Sequence, residues 1–258
     1  MDMISERLKG KKIFITGGSR GIGRAIAIAC AKEGADVVIS YCNSKNEATE
    51  TVSIISQFGN YSNKLRVDLC KANETKKLIE RVLNKFDHID VLINNAGILT
   101  RNIFMEVTDA EFRRVFEINL FAPFILTRDV AKDMIKKNIK GSIINIGSIS
   151  SEKGSNYLPH YGSSKAGLVT LTKSASLALG RYGIRVNCIQ PGLTETDLNE
   201  DLRINDKNNW EKKTSSIPLG RVGTPQDHVG AVLFLASNES AWVTGTSIII
   251  DGGRSIHF

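Results

Sequence analysis

Short runs rich in β-branched residues alternate along the chain with longer amphipathic stretches, and this rhythm constrains the fold more than any other feature. The runs are KIFIT (12–16), DVVISY (36–41), NKLRVD (63–68), DVLINN (90–95), SIINIG (142–147), IRVNCI (184–189) and SIIID (247–251). Helices are predicted between them near 22–33, 45–58, 73–86, 109–137, 161–181 and 226–237. Nearly continuous apolar strands are buried on both faces, and parallel neighbours need a long crossover that a helix supplies. The pattern predicts an α/β fold: a doubly wound, mostly parallel sheet with helices on both faces and right-handed crossovers. No Pro/Ser-rich linker or internal repeat divides the chain, so 1–258 is expected to form a single domain. Residues 193–217 break the rhythm with a long polar stretch, which predicts a substrate lid or small helices.

Bulk properties exclude several functions. The chain is 41% hydrophobic and 24% charged, with a net charge of +7. No apolar run approaches the ~20 residues that cross a bilayer. The start, MDMISERLKGKK, carries acids and lacks the apolar core of a secretory signal. Cys30, Cys42, Cys70 and Cys188 form no CxxC pair and have no histidine at ligand spacing. They read as reduced thiols of a cytoplasmic protein without a metal site. His88, His228 and His257 also lack partners at ligand spacing and read as surface or structural histidines. The basic balance raises nucleic-acid binding, and KDMIKKNIK (132–140) is its strongest local support. There Lys132, Lys136 and Lys140 recur every four residues, as on the solvated stripe of a helix. No aromatic residues interleave with them as a base-stacking platform requires. The positive field suits an anionic small ligand instead.

The first predicted strand runs into TGGSRGIGRAIA (16–27). Glycines at such a turn let a pyrophosphate approach the backbone amides, and the helix N-terminus adds partial positive charge. A P-loop needs GK followed by Ser or Thr. Gly18 and Gly23 have its spacing, but Arg24-Ala25 follow them, which excludes that motif. A dinucleotide turn with Gly17, Gly21 and Gly23 remains. An acid ending the second strand would bond a ribose 2′-hydroxyl and repel a 2′-phosphate. VISYCNS (38–44) has none, and Arg20 can offer a guanidinium to a phosphate. NADP(H) is therefore expected, with NAD(H) as the alternative.

Farther on, YGSSK (161–165) sets a tyrosine four residues before a lysine. On a helix the two share a face. A nearby cation favours the phenolate, so Lys165 is expected to lower the Tyr161 pKa from about 10. Taken alone, the pair also fits a surface tyrosine stacked on a lysine stem.

TGGSRGIG, NNAG (94–97), an IN pair ending at Asn119, GSIS (147–150), YGSSK, IQPG (189–192) and FLASNESAWVTGTSIIIDGG (234–253) stand in the order of the short-chain dehydrogenase/reductases. The chain resembles that family over essentially its whole length. The resemblance implies a Rossmann-type sheet of seven parallel strands and hydride transfer between a nicotinamide cofactor and an alcohol or carbonyl. It implies Tyr161 as general acid/base, Lys165 on the nicotinamide ribose, Ser148 on the substrate oxygen and Asn119 in a proton relay. It carries cofactor contacts onto Gly17, Ser19, Arg20, Gly21, Ile22 and Gly23 in the turn and Ser40 on the second strand. Further contacts fall on Asp68, Leu69, Asn95, Ala96, Gly97, Pro191, Gly192 and Thr196. Asn94 is expected to brace the sheet. Where the family commonly has an apolar residue, this chain has Thr194, whose backbone amide could still serve the carboxamide. The family's habit also implies a homotetramer or homodimer, and AWVTGTSIII (241–250) is an apolar segment fit for a subunit contact.

Substrate choice is expected in SEKGSNYLPH (151–160) and TETDLNEDLRINDKNNWEKKTSSIP (194–218). Ser150, Asn156, His160 and Asn199 are the candidate contacts, beside Ser148 and Tyr161. Such groups suit a polyhydroxylated ligand. The second segment and His160 resemble the family's sugar 1-dehydrogenases, particularly those acting on L-rhamnose and related aldohexoses. The alternative is a 3-oxoacyl-[acyl-carrier-protein] reductase, with an acidic carrier protein as partner. A non-catalytic nucleotide-binding scaffold is a third reading, opposed by the intact Asn119, Ser148, Tyr161 and Lys165 set.

Overall fold

The computed structural model describes residues 6–256, so His257 lies outside the described residues. The strands are Lys12–Ile15 (β1), Asp36–Tyr41 (β2), Ser62–Arg66 (β3), Val91–Asn94 (β4), Ser142–Ile146 (β5), Arg185–Pro191 (β6) and Ser247–Ile250 (β7). The helices are Gly21–Lys32 (α1), Lys45–Ser56 (α2), Ala72–Leu83 (α3), Asp109–Phe116 (α4), Ala122–Lys136 (α5), Pro159–Leu179 (α6), Glu200–Asn205 (α7), Lys207–Ser215 (α8) and Val229–Ala236 (α9). The strands form one sheet in the order β3-β2-β1-β4-β5-β6-β7, and every neighbouring pair is parallel.

Alternate strand residues face opposite sides of the sheet. Ile13, Ile15, Val37, Ile39 and Ile93 pack with Ile26 and Cys30 of α1 and Val232 and Leu235 of α9. Phe14, Val38, Leu92 and Ile143 pack on the other side with Leu78 and Val82 of α3 and Leu126, Val130 and Met134 of α5. Strand order reverses between β1 and β4, and a crevice opens beyond the carboxyl ends of strands at such a switch point. The turn carrying Gly17 follows β1, and Asn95–Gly97 follows β4, so both flank that crevice. Between them the sheet is braced by a buried polar chain. Asn94 Nδ2 donates to Asn145 Oδ1 at 2.9 Å and to Thr127 Oγ1 at 3.2 Å, and Asn145 Nδ2 donates to Thr172 Oγ1 at 2.8 Å.

The helix expected over 109–137 is interrupted. A π-turn over Glu117–Phe121 separates α4 from α5. Pro123 sits in the first turn of α5 and has no N–H to join a continuous ladder. Asn119 lies in that turn. The 193–217 stretch holds a 3₁₀ turn at Asp197–Asn199 followed by α7 and α8. Lys132, Lys136 and Lys140 are exposed, as their spacing predicts. Among the described residues no cluster of His, Cys, Asp and Glu could hold a metal, and no helix is long and apolar enough to cross a membrane.

Candidate active site

A cleft of about 1100 Å³ runs from the glycine turn, across the crevice, to the segments after β5, β6 and β7. At its start, Gly17 and Gly21 adopt φ of +66° and +55°, a left-handed backbone that favours glycine. A Cβ on Gly23 would collide with the Gly17 carbonyl, so only glycine lets α1 begin this close to the turn. No side chain caps α1 and no acid lies in its first turn. Its first amides are thus open to an anion. Asn95 Nδ2 holds the turn by donating to the carbonyls of Thr16 and Gly17, at 3.0 and 2.9 Å. Ser19, Ile22, Ser40, Asp68, Leu69, Ala96 and Gly97 line the same cleft, as do Pro191, Gly192, Thr194 and Thr196. A glycine-lined entrance that leads to an uncapped helix start fits a dinucleotide pyrophosphate. No acid stands at residues 40–44 beside the ribose end.

At the other end α6 presents Tyr161 and Lys165 on one buried face. The small residues between them have packing reasons. A Cβ on Gly162 would lie 3.0 Å from the Ser150 carbonyl, so glycine keeps the segment after β5 close to the helix. Ser164 Oγ accepts from Asn119 Nδ2 at 3.1 Å and donates to the Tyr161 carbonyl at 2.7 Å. Asn119 also brackets Ile98: its Oδ1 accepts from the Ile98 amide at 2.9 Å, and its Nδ2 donates to the Ile98 carbonyl at 3.0 Å. Its side chain is fully buried and does not line the cleft, so it ties the β4 segment to α6.

The electrostatics correct one expectation. Burial pushes the Tyr161 phenol above its ordinary value, and the Ser148 hydrogen bond and the Arg101 charge only partly oppose it. Lys165 does not produce the expected lowering, because its ammonium donates to the Ile146 carbonyl at 2.7 Å and stands 5.9 Å from the tyrosine ring centre. The same burial lowers Lys165 to about 8. Tyr161 is therefore protonated near neutral pH. It is a proton donor as it stands, with Ser148 hydrogen-bonded to it, and an added positive charge is needed before it serves as a base.

A protein-family model described as Enoyl-(Acyl carrier protein) reductase matches residues 17–255. The L-rhamnose 1-dehydrogenase (NADP(+)) of Thermoplasma acidophilum is 38% identical over 250 residues, covering 96% of this chain and 98% of its own. The 3-oxoacyl-[acyl-carrier-protein] reductase of Chlamydia pneumoniae is 38% identical over 246 residues, covering 95% and 97%. The crystal structure of a short-chain type dehydrogenase/reductase from Mycobacterium marinum superimposes with a TM-score of 0.90 at 32% identity, covering 97% of each chain. The chain belongs to the short-chain dehydrogenase/reductase family.

As a short-chain dehydrogenase/reductase it is an NAD(P)-dependent oxidoreductase. Within this family member, two candidate substrate contacts fall outside the cleft lining. His160 is fully buried, bonded through Nε2 to Thr100 Oγ1 at 2.6 Å, with Glu111 Oε1 at 3.9 Å. It precedes Tyr161 on α6 and so faces the protein interior. Asn156 is exposed, and its carbonyl accepts from the Phe104 amide at 3.1 Å. Ser150 and Asn199 do line the cleft. Asn199 is already engaged at both ends: Nδ2 donates to the Thr194 carbonyl and Oδ1 accepts from Arg101, each at 2.9 Å.

The Thr194 hydroxyl is turned to His228 Nε2 at 2.9 Å and to the Gly192 carbonyl at 3.1 Å. That buried polar pair explains a threonine where the short-chain dehydrogenase/reductases commonly have an apolar residue. The Thr194 amide keeps no partner among the described residues and is open to a carboxamide. Arg20 is bonded to Asp197 of the 193–217 segment at 3.1 Å, across the mouth of the glycine turn. The sequence reading missed Arg101, Lys213 and Arg254, which line the cleft from the segment after β4, from α8 and from the segment after β7. No local spacing separates them from surface cations.

Proposed function

We propose that this oxidoreductase is an NADP(H)-preferring sugar 1-dehydrogenase that oxidises L-rhamnose or a related aldohexose to its lactone. The observation that carries the reading is the wall beside Tyr161, where Ser148, Ser150 and Arg101 set hydrogen-bonding groups around the reacting position. Such a wall favours a ligand with several hydroxyls, because an analogue lacking them leaves buried polar groups unpaired. The similarity to the L-rhamnose enzyme points the same way. The NADP(H) preference rests on the acid-free ribose end and on Arg20.

When bound, the nicotinamide supplies the two-electron acceptor for the hydride leaving C1 and, when oxidised, a positive charge beside the phenol. With that charge favouring the phenolate, Tyr161 would lose its own proton to solvent and then take the proton of the anomeric hydroxyl as the lactone carbonyl forms. Ser148 hydrogen-bonds that oxygen and steadies its developing charge. Lys165, fixed on the Ile146 carbonyl, is set to hold the ribose hydroxyls. Gly17, Ser19, Gly21, Ile22 and Gly23 would cradle the pyrophosphate. Asp68 and Leu69 would hold the adenine, and Asn95, Ala96 and Gly97, which line the same cleft, would hold the rest of the cofactor. Asn119 positions Ile98 and α6. Residues 193–217 form a lid on a single domain. Exposed Phe121, Phe124, Leu177 and Trp242 would be covered in a homotetramer or homodimer, and four free thiols suit the cytoplasm.

The equal similarity to the 3-oxoacyl-[acyl-carrier-protein] reductase supports a second reading. Purified protein should reduce NADP with L-rhamnose, L-mannose or D-glucose. Turnover confined to acetoacetyl thioesters with NADPH would replace the sugar reading with the second one.

A further inference from the structure

Arg101, Lys213 and Arg254 reach one side of the cleft from three distant parts of the chain. All three are half-buried. Burial works against the charge of each one, and Lys213 also feels the repulsion of both arginines. Such an arrangement costs free energy unless something offsets it. Among the described residues no carboxylate lies within ion-pair distance of any of them. The acids nearest in electrostatic reach are occupied elsewhere. Asp201 accepts from Asn205 Nδ2 at 2.7 Å. Asp206 accepts from the Asn209 amide at 3.2 Å, capping α8. Asp251 accepts from the amides of Gly253 and Ser255 at 2.9 and 2.6 Å. The one anchored partner is neutral: Arg101 donates to Asn199 Oδ1. The glycine turn and the uncapped start of α1 provide a separate place for the cofactor's pyrophosphate. The three cations share their side with Asn199 and Ser216 instead.

We propose that Arg101, Lys213 and Arg254 form an anion-binding pole in the substrate site, so that the sugar oxidised by this enzyme carries a carboxylate or a phosphate. The inference rests on the sugar 1-dehydrogenase reading above but replaces its neutral substrates, L-rhamnose included, with acidic aldohexoses. A guanidinium offers paired donors to a carboxylate or phosphate, and Lys213 adds a point charge. The hydroxyls of Ser148 and Ser150 remain for the sugar's own hydroxyls near the reacting carbon. A hexuronate or a hexose 6-phosphate has both an anomeric hydroxyl and an anionic group, as this division requires.

D-glucose, D-glucuronate and D-glucose 6-phosphate differ only at C6 and make a direct comparison with NADP. The acidic sugar is expected to exceed glucose in kcat/KM at least tenfold at low salt. The advantage should shrink as ionic strength rises and fall at least tenfold in Lys213→Met and in Arg254→Met. Preference for glucuronate or for the 6-phosphate identifies the anion. Equal or better turnover of glucose, insensitive to salt, overturns the proposal. Calorimetric titration of glucuronate and glucose into NADPH-loaded protein reads the pole without turnover. If no sugar is oxidised, the sugar reading fails; if glucuronate also binds no tighter than glucose, the pole fails with it. A loss of NADPH affinity in Lys213→Met as large as its loss of glucuronate affinity assigns the cations to the cofactor and overturns the proposal as well.

Discussion

The ammonium of Lys165 donates to the Ile146 carbonyl at 2.7 Å, not to the phenol of Tyr161 one helical turn away. β5 thus fixes the lysine, and the lysine's charge reaches the face of the tyrosine ring at 5.9 Å. The phenol keeps Ser148 as its hydrogen-bond partner and is held protonated by burial. The division of labour between a fixed cation and a buried acid leads to the first expected outcome.

Tyr161→Phe should lower turnover by about 10²–10⁴-fold, the usual worth of a positioned general acid/base. Binding of NADPH, followed by its fluorescence, should persist, because the ring and Lys165 both remain. Turnover near the wild-type rate in this variant would remove Tyr161 from the chemistry.

Arg20 is paired with Asp197 across the mouth of the glycine turn. Arg20→Met should raise the KM for NADP about 10–100-fold, the equivalent of one charge-assisted hydrogen bond, and change the KM for NAD far less. Asp197→Asn frees the guanidinium and should lower the KM for NADP. Steady-state kinetics with both cofactors checks the two signs together.

His228 is buried against Thr194, and burial lowers its pKa from 6.5 to about 4. The folded protein therefore keeps the ring neutral where the unfolded chain takes up a proton. Its contribution to stability is fully present above pH 6.5 and is lost as the pH falls from 6.5 towards 4. The slope is on the order of 1 kcal/mol per pH unit. His228→Gln keeps a donor for Thr194 and removes the titration. Denaturant unfolding at pH 7 and pH 4.5 should give a steeper loss for wild type than for the variant.

Gly23→Ala places a methyl group against the Gly17 carbonyl, where nothing can yield without moving the turn. The variant should fold, since the site is at the rim of the sheet, but lose measurable NADP(H) binding in a fluorescence titration. Gly230→Ala, at a position where a Cβ meets nothing within 4 Å, is the matched control.

Most strands were legible because each is a short apolar run bounded by turn residues; β3, with the sequence SNKLR, is mostly polar. Asp36–Tyr41 is both the predicted run and the observed β2. The glycine turn and the Tyr161/Lys165 pair were legible for a similar reason: their chemistry is encoded in spacings of fewer than eight residues. The helix over 109–137 was misread as continuous, since helical periodicity does not register one extra residue in a π-turn. His160 looked like a substrate contact because it adjoins Tyr161. Adjacent residues on a helix point about 100° apart, and that rotation turns its ring toward Thr100.

Sequence alone determined most of the sheet, its helical cover, the glycine turn and the pairing of Tyr161 with Lys165 on one helix face, because each depends on local periodicity or on spacing held within one short segment. Tertiary structure alone decided the sign of the Tyr161 shift, the engagement of Asn199 and Arg20, and the meeting of Arg101, Lys213 and Arg254. The physical reason is that burial and electrostatic reach are properties of what surrounds a group. Those surroundings come from segments as far apart as β4, α8 and the end of β7, which only the folded chain brings to one place.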